Sequence, residues 1–265
     1  MLMKKASLVG AFFVPGIWLS AAQAQVFCPA PANVARVEVQ RVVDGDTVRL
    51  KDGRSVRMIG LNTPETAKKG LTDEPYAVAA RQHLQALVHA SDGQLGMVPG
   101  RESKDRYGRT LAHLYGADGE NLEAQLLAQG LGFQVGVAPN VDLVTCQQLA
   151  ENSARQARLG VWRQSPVQPV TQLRQSGFAL VSGRVSKIER NRGGIWIDLE
   201  GALVLRIAPD MARQFDSAWL DGLQGMKIEA RGWVQDRSRR DGLKKGRGRW
   251  LLALTDPGML KSSFE

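Results

Sequence analysis

Cysteine, histidine and aromatic residues are scarce in this chain, and each shortage removes a class of protein. Of 265 residues only two are cysteines, Cys28 and Cys146, and three are histidines. A disulfide-dense scaffold and a four-cysteine zinc module are thereby excluded. His83 and His89 stand on different faces of one predicted helix, and His113 falls in a strand without an evident acid partner, so no histidine zinc site is expected. Beyond Leu19 no apolar run reaches the roughly 18 to 20 residues that a bilayer-spanning helix requires. The two halves of the chain share no close sequence repeat.

The chain begins with a basic start at Lys4-Lys5, an apolar stretch from Ala6 to Leu19 broken by Pro15, and small residues before Ala22-Gln23-Ala24. This is the pattern of an export signal over residues 1–24, with a mature chain from Gln25 that carries no membrane segment and goes to the periplasm or the medium. Cys28 follows bulky Val26-Phe27, which disfavours a lipid-anchored cysteine. In an oxidising compartment Cys28 and Cys146 are expected to pair, and closing a loop on the order of 100 residues stabilises a fold by about 4 to 5 kcal/mol in the chain-entropy model. The formal net charge is +9, and the excess is uneven. Residues 25–165 hold 16 basic and 15 acidic side chains, whereas 166–265 hold 17 and 11. Basic excess in the second half favours a polyanionic partner.

Alternation predicts strands at Val34 to Val43, Thr47 to Lys51 and Ser55 to Ile59, the last two around an Asp52-Gly53 turn. Val48, Leu50, Val56 and Met58 share a face only if the connection is odd, such as Asp52-Gly53-Arg54, and Arg57 then points away from that face, toward solvent or a ligand. A helix is predicted over Pro75 to Ala90, with Val78, Leu84, Leu87 and Val88 as its apolar stripe. Strands at Gln94 to Val98 and Thr110 to Tyr115 follow, then helices from Asn121 to Gln129 and from Asp142 to Leu159, each ended by a glycine. Five strands and three helices suit a small Greek-key barrel with helices on one side. Residues 164–175, with Pro166 and Pro169, read as a linker. After it, runs at Phe178 to Lys187, Gly194 to Leu199, Ala202 to Ile207, Met226 to Val234 and Arg249 to Leu254 repeat a five-strand pattern, with a helical interruption at Pro209 to Asp216. The overall class is β-rich α+β: a barrel of the oligonucleotide-binding (OB) type, then a second, smaller barrel-like unit over 176–262.

The chemistry concentrates between Asp44 and Arg109. Asp44-Gly45-Asp46-Thr47, Arg57, Asn62-Thr63-Pro64-Glu65-Thr66 and Asp105-Arg106-Tyr107-Gly108-Arg109 all fall at predicted strand ends or turns. Oxygen ligands for a hard cation, a carboxylate to position or deprotonate water, and guanidinium groups for a charged phosphorus centre together suit cleavage of a phosphodiester. Each fragment alone is more often an ordinary turn; their joint occurrence reverses that reading.

In order and spacing these motifs, continued by Ala154-Arg155 and Gly160-Val161-Trp162, resemble the staphylococcal nuclease (thermonuclease) family over residues 34–163. The resemblance implies a calcium-dependent nuclease that hydrolyses DNA and RNA to 3'-phosphates on a five-stranded OB-type barrel. It implies that Asp46 ligates calcium directly, that Thr63 offers its carbonyl, and that Asp44 supports the metal from nearby. It further implies that Glu65 acts on the attacking water and that Arg57 and Arg109 bind phosphate and stabilise the transition state. Asn62 stands where the family usually has a second calcium-binding aspartate, so weaker metal binding with retained activity is expected. Arg106 replaces a lysine, Tyr107 matches a nucleotide-contacting tyrosine, and Lys68 and Lys69 lie in a loop that borders the substrate entrance in such proteins. The alternative is a non-catalytic nucleic-acid-binding protein on the same barrel.

In the second unit, Arg237, Arg239, Arg240, Lys244, Lys245, Arg247 and Arg249 make a basic, glycine-containing loop read as an accessory nucleic-acid contact, with a solvated charge run as the plain alternative. An acidic polysaccharide is a further possible ligand for it. Trp196, Trp219, Trp233 and Trp250 also lie in this half. Most should be core, and an exposed one could stack on a base. A monomer is favoured.

Overall fold

The computed structural model describes residues 27–67, 72–238 and 248–262. The expected export signal lies outside them, as do Lys68, Lys69, Arg239, Arg240, Lys244, Lys245 and Arg247. The first half is built from β1 (Ala35–Asp44), β2 (Thr47–Leu50), β3 (Ser55–Met58), β4 (Leu61–Asn62), α1 (Ala77–Ala90), β5 (Gln94–Lys104), β6 (Thr110–Tyr115), α2 (Leu122–Ala128), β7 (Phe133–Gln134) and α3 (Val144–Gln156). Five of these strands close into a barrel in the order β1-β2-β3-β6-β5, with β3 and β6 parallel. Closure leaves the barrel no free strand edge.

The register at β2 and β3 is the one that alternation requires. Thr47 faces Arg57, Val48 faces Val56 and Arg49 faces Ser55. This register puts Val48, Leu50, Val56 and Met58 in the core at no more than 2% exposure, and a one-residue slip would turn all four outward. The stripe on α1 needs correction. Its buried positions are Ala77, Ala80, Leu84 and Val88, while Val78 is exposed. At 100° per residue Val78 lies about 120° around the helix from Leu84, so small alanines complete the stripe instead. The helix also starts two residues beyond Pro75, after Tyr76 in a left-handed conformation. Cys28 and Cys146 form a disulfide with sulfurs 2.04 Å apart, tying the segment before β1 to α3 across 118 residues.

The second half contains β8 (Val167–Pro169), β9 (Gly177–Asn191), β10 (Gly194–Leu199), β11 (Leu203–Ile207), α4 (Ser217–Gly222), β12 (Lys227–Asp236), β13 (Trp250–Leu254) and β14 (Leu260–Ser262). Strands β9-β10-β11-β13-β12 form a ring closed by the pairing of β12 with β9, and β11 and β13 are parallel. This is the strand order of the first barrel repeated, with one helix between the third and fourth barrel strands in each. The helical interruption falls later than expected: a short 3-10 turn at Ala212–Gln214 precedes α4, whose start Asp216 caps by accepting from the Trp219 amide at 3.0 Å. Residues 164–175 are not a bare connection. They carry β8, which pairs with β9, and bury Val170 and Leu173 in the second core. The Val-Gln-Pro of β8 joins the β9 edge although Pro166 precedes it and Pro169 ends it, positions where proline is tolerated.

The two barrels are joined by more than covalent chain. Ala154, Trp162 and Leu180 form a small core with Phe133, Val161, Val167 and Phe178 packed against it. Beside it, Arg231 of β12 is 2% exposed and reaches Glu151 of α3, fully buried, through contacts of 2.7 and 2.6 Å. Arg231 also donates to the Gln134 carbonyl at 3.1 Å. Arg155 grips Glu229 with two bonds of 3.0 and 2.7 Å, and Glu229 in turn lies 3.3 Å from Arg231.

Candidate active site

Asp44 ends β1 and Asp46 begins the approach to β2, so the tight turn between them presents both carboxylates at one rim of the first barrel. Gly45 permits this because a Cβ there would come within 2.7 Å of both Ala80 and the Thr63 hydroxyl. Asp46 is 5% exposed and is the hub. Its Oδ2 accepts from the Thr63 amide at 3.2 Å and pairs with Arg57 at 2.8 Å, while Oδ1 accepts from the Thr47 hydroxyl at 3.0 Å. Asp44 accepts from the Asp46 amide at 3.2 Å. Burial and then the adjacent Asp46 charge push Asp44 up to about 6. Two carboxylates crowded in this way favour an added positive charge between or beside them.

Arg57 projects from the barrel face opposite to Val56 and Met58, as its register predicts, and points to protein acceptors rather than to open solvent. Its Nη1 donates to the carbonyls of Met58 and Leu61, and its Nη2 to Asn62 Oδ1 at 3.3 Å as well as to Asp46. Asn62 and Thr63 are themselves buried, Asn62 being held by the pairing of β4 with β7. Pro64 then turns the chain so that Glu65 is exposed. The Glu65 amide donates to the Glu74 carboxylate at 2.9 Å, and the Glu74 amide returns a bond to the Glu65 carbonyl. Glu74 escaped the sequence reading; its place just before Pro75 and the helix was the available signal.

Arg109 enters from the β6 side. Parallel pairing sets Arg57 opposite Leu111, and Arg109 stands in the turn just before β6, two residues ahead of that partner. Gly108 adopts a left-handed φ of 80°, which closes the turn back to Asp105. Asp105 accepts from the Arg109 amide at 2.9 Å and from its Nε at 2.7 Å. Burial pushes the Asp105 carboxyl up, but the bonds from Arg109 and Tyr107 outweigh it and hold it below its usual range. Tyr107 is 69% exposed, with the guanidinium of Arg106 4.8 Å and that of Arg109 5.6 Å from its ring centre. The turn therefore offers an aromatic face flanked by two cations.

The structure thus gathers Asp44, Asp46, Arg57, Asn62 and Thr63 into one bonded knot, with Glu65 beside it. Among the described residues there is no cluster of three or more His, Cys, Asp or Glu able to hold a metal. The available donors are instead two carboxylates, the Asn62 amide oxygen and the Thr63 carbonyl, an all-oxygen set that suits a hard cation completed by water. His113 does have an acid neighbour, contrary to expectation: its Nδ1 lies 3.3 Å from Glu123. Both belong to the buried core, and the zinc reading gains nothing from them. Of the basic loop, Arg237 is buried and donates to the Gly248 carbonyl at 2.6 Å, and Arg249 pairs with Asp236 at 2.6 Å. Arg237 thus serves the loop's own base, whereas Arg249 is 52% exposed and its ion pair lies at the surface.

A barrel of this topology with carboxylates, an amide and a guanidinium group on one rim has the side-chain set that suits a phosphodiester hydrolase. A family model described as "Staphylococcal nuclease homologue" matches residues 55–164. The thermonuclease of Staphylococcus intermedius is 35% identical over 127 residues, covering 47% of this chain and 74% of that protein. The thermonuclease of Staphylococcus hyicus is 32% identical over 134 residues, 49% and 78% of the two chains. Endonuclease YncB of Bacillus subtilis (strain 168) is 32% identical over 137 residues, 50% and 64%. The chain belongs to the staphylococcal nuclease family. It is a hydrolytic nuclease, a phosphodiesterase whose substrate is nucleic acid, of a family that needs a metal ion. The second barrel lies outside residues 55–164, which the family model matches.

Proposed function

We propose that the chain is an exported, monomeric, calcium-dependent nuclease that cuts DNA and RNA to leave 3'-phosphates, with a nuclease domain over 34–163 and an accessory domain over 176–262. The observation that carries this reading is the bonded knot of Asp46, Arg57, Asn62 and Thr63 beside an exposed Glu65. Asp46, the Asn62 oxygen and the Thr63 carbonyl would hold calcium, with Asp44 next to them; bound there, the ion supplies charge neutralisation and Lewis acidity. Glu65 positions a water and accepts its proton. The water oxygen bonds to phosphorus, the bond to the 5'-oxygen breaks on the far side, and that oxygen leaves as a hydroxyl after taking a proton from solvent. Arg57 and Arg109 hold the phosphoryl oxygens as negative charge builds on them, a contribution worth roughly 100 to 1,000-fold in rate per preorganised donor. The Cys28–Cys146 disulfide supports an oxidising compartment.

The test is digestion of DNA and RNA with calcium, with magnesium and with chelator, followed by analysis of the product ends. Cleavage that requires calcium and leaves 3'-phosphates is expected. Full activity in chelator, or 5'-phosphate ends, contradicts the reading.

A further inference from the structure

Between the two barrels runs a cleft of about 490 Å³, lined on the nuclease side by Asn62, Pro64, Glu65 and Glu74, and on the other by residues of the second barrel and the segment leading into it. Its volume lies within the roughly 300 to 1,000 Å³ of ordinary ligand clefts. Four aromatic rings cross the same boundary in a chain. Trp162 meets Phe133 at 5.6 Å between ring centres, Phe133 meets Phe178 at 5.6 Å, and Phe178 meets Trp233 at 5.3 Å. Phe133 is the strand partner of Asn62, and Phe178 that of Trp233, so the chain of rings runs from the candidate active site to the wall of the second barrel. The first ring is buried, but the last is 42% exposed in the cleft. Arg174, on the same wall, donates only to the carbonyls of Thr171 and Leu173 and forms no ion pair among the described residues.

A large aromatic supported from behind by packed rings, an arginine with no carboxylate partner and direct continuity with Glu65 are the requirements for gripping an unpaired nucleotide. We infer that this cleft is a nucleotide subsite: Trp233 stacks on a base of a single strand next to the scissile phosphate, and Arg174 binds a neighbouring phosphate. With the scissile phosphate held beside Glu65, the Glu74 carboxylate disfavours a second phosphate on the nuclease wall, which directs the neighbouring phosphate toward Arg174 and the base toward the ring. A duplex base keeps both faces in its own stack and cannot use Trp233, so the subsite favours single strands. The second barrel, on this account, completes the substrate site.

The inference rests on the nuclease reading, and the experiment separates the two. In a Glu65→Gln background, which removes the proton acceptor, the affinity for a fluorescent oligothymidylate and for a duplex of equal length is measured by anisotropy with calcium present. Trp233→Ala is expected to weaken oligothymidylate binding about tenfold, with duplex binding unchanged, and Trp233→Phe to recover most of the loss. Arg174→Ala is expected to flatten the slope of log affinity against log salt by roughly 0.7, one phosphate contact on a single strand. Equal affinities for Trp233→Ala and its parent, or no binding by the parent, overturn the subsite. Failure of the unmutated chain to cut nucleic acid would instead sink the nuclease reading, and the binding comparison would still decide the subsite.

Discussion

Asn62 stands where the family resemblance leads one to expect an aspartate, and its environment says what that difference would do. Its oxygen faces the Arg57 guanidinium at 3.3 Å in a pocket where Asp46 is the charged partner. An aspartate here would add a further negative charge to the oxygen set and turn the existing Arg57 contact into an ion pair. Asn62→Asp is therefore expected to tighten calcium binding several-fold, measured by calorimetry on the folded protein; unchanged affinity would place the ion elsewhere. The side chains gathered here were legible in the sequence as a group, because acids, arginines and amide or carbonyl oxygens near turns are the set that phosphodiester cleavage calls for. Their mutual bonds were not. Nothing in the spacing of Asp46, Arg57 and Thr63 revealed that Arg57 is already held by Asp46, since that contact depends on two strands and a turn closing on one another. Arg237 shows the opposite failure: as one of a run of cations it read as a surface contact, yet the turn at the loop's base buries it.

At the scale of elements, hairpins were read well and helix faces less so. Period-two alternation fixes a strand's faces uniquely, which is why the β2 and β3 register emerged from Val48, Leu50, Val56 and Met58 alone. On α1 the buried stripe passes through alanines, and alanine is uninformative about which side is inward. The prolines of 164–175 disguised β8, because a short edge strand tolerates proline where a central one does not. The link between the segment before β1 and α3 belongs to this scale too. Removing it with Cys146→Ser is expected to cost about 4 to 5 kcal/mol and to lower the denaturant midpoint, with the first barrel's strands intact under mild conditions. A midpoint equal to that of the unmutated protein contradicts this role.

For the whole molecule, the point of most consequence is that two barrels of one topology are locked together by buried charge. Arg231 and Glu151 are at most 2% exposed, so deleting either leaves an ion without its partner. Glu151→Gln is expected to destabilise by about 3 to 5 kcal/mol and to open the boundary to proteolysis near residue 165; a Tm within 1 °C of the parent's would show that the pair does not hold the barrels. Glu229 lends the same lock a pH dependence. Burial pushes its carboxyl up, but the Arg155 hydrogen bond and charge, with Arg231, bring it below the ordinary glutamate value of 4.5. A depressed carboxyl stabilises the fold above its unfolded value and loses that contribution as pH falls through its folded one. The Tm gap between the parent and Glu229→Gln should accordingly be constant above about pH 5 and shrink below pH 4.5. None of this lock was visible in the sequence, because its four charges come from α3 and β12, far apart in the chain and ordinary in composition. What the fold brings together around Glu65 is nevertheless the centre of the account, and one comparison tests it most directly: cleavage of single-stranded DNA in calcium by the parent and by Glu65→Gln. Glu65 is exposed and among the described residues its side chain makes no bond that holds the fold, so the variant should melt with the parent and bind the strand while cutting at least 100-fold more slowly. Cutting at the parental rate would contradict the account.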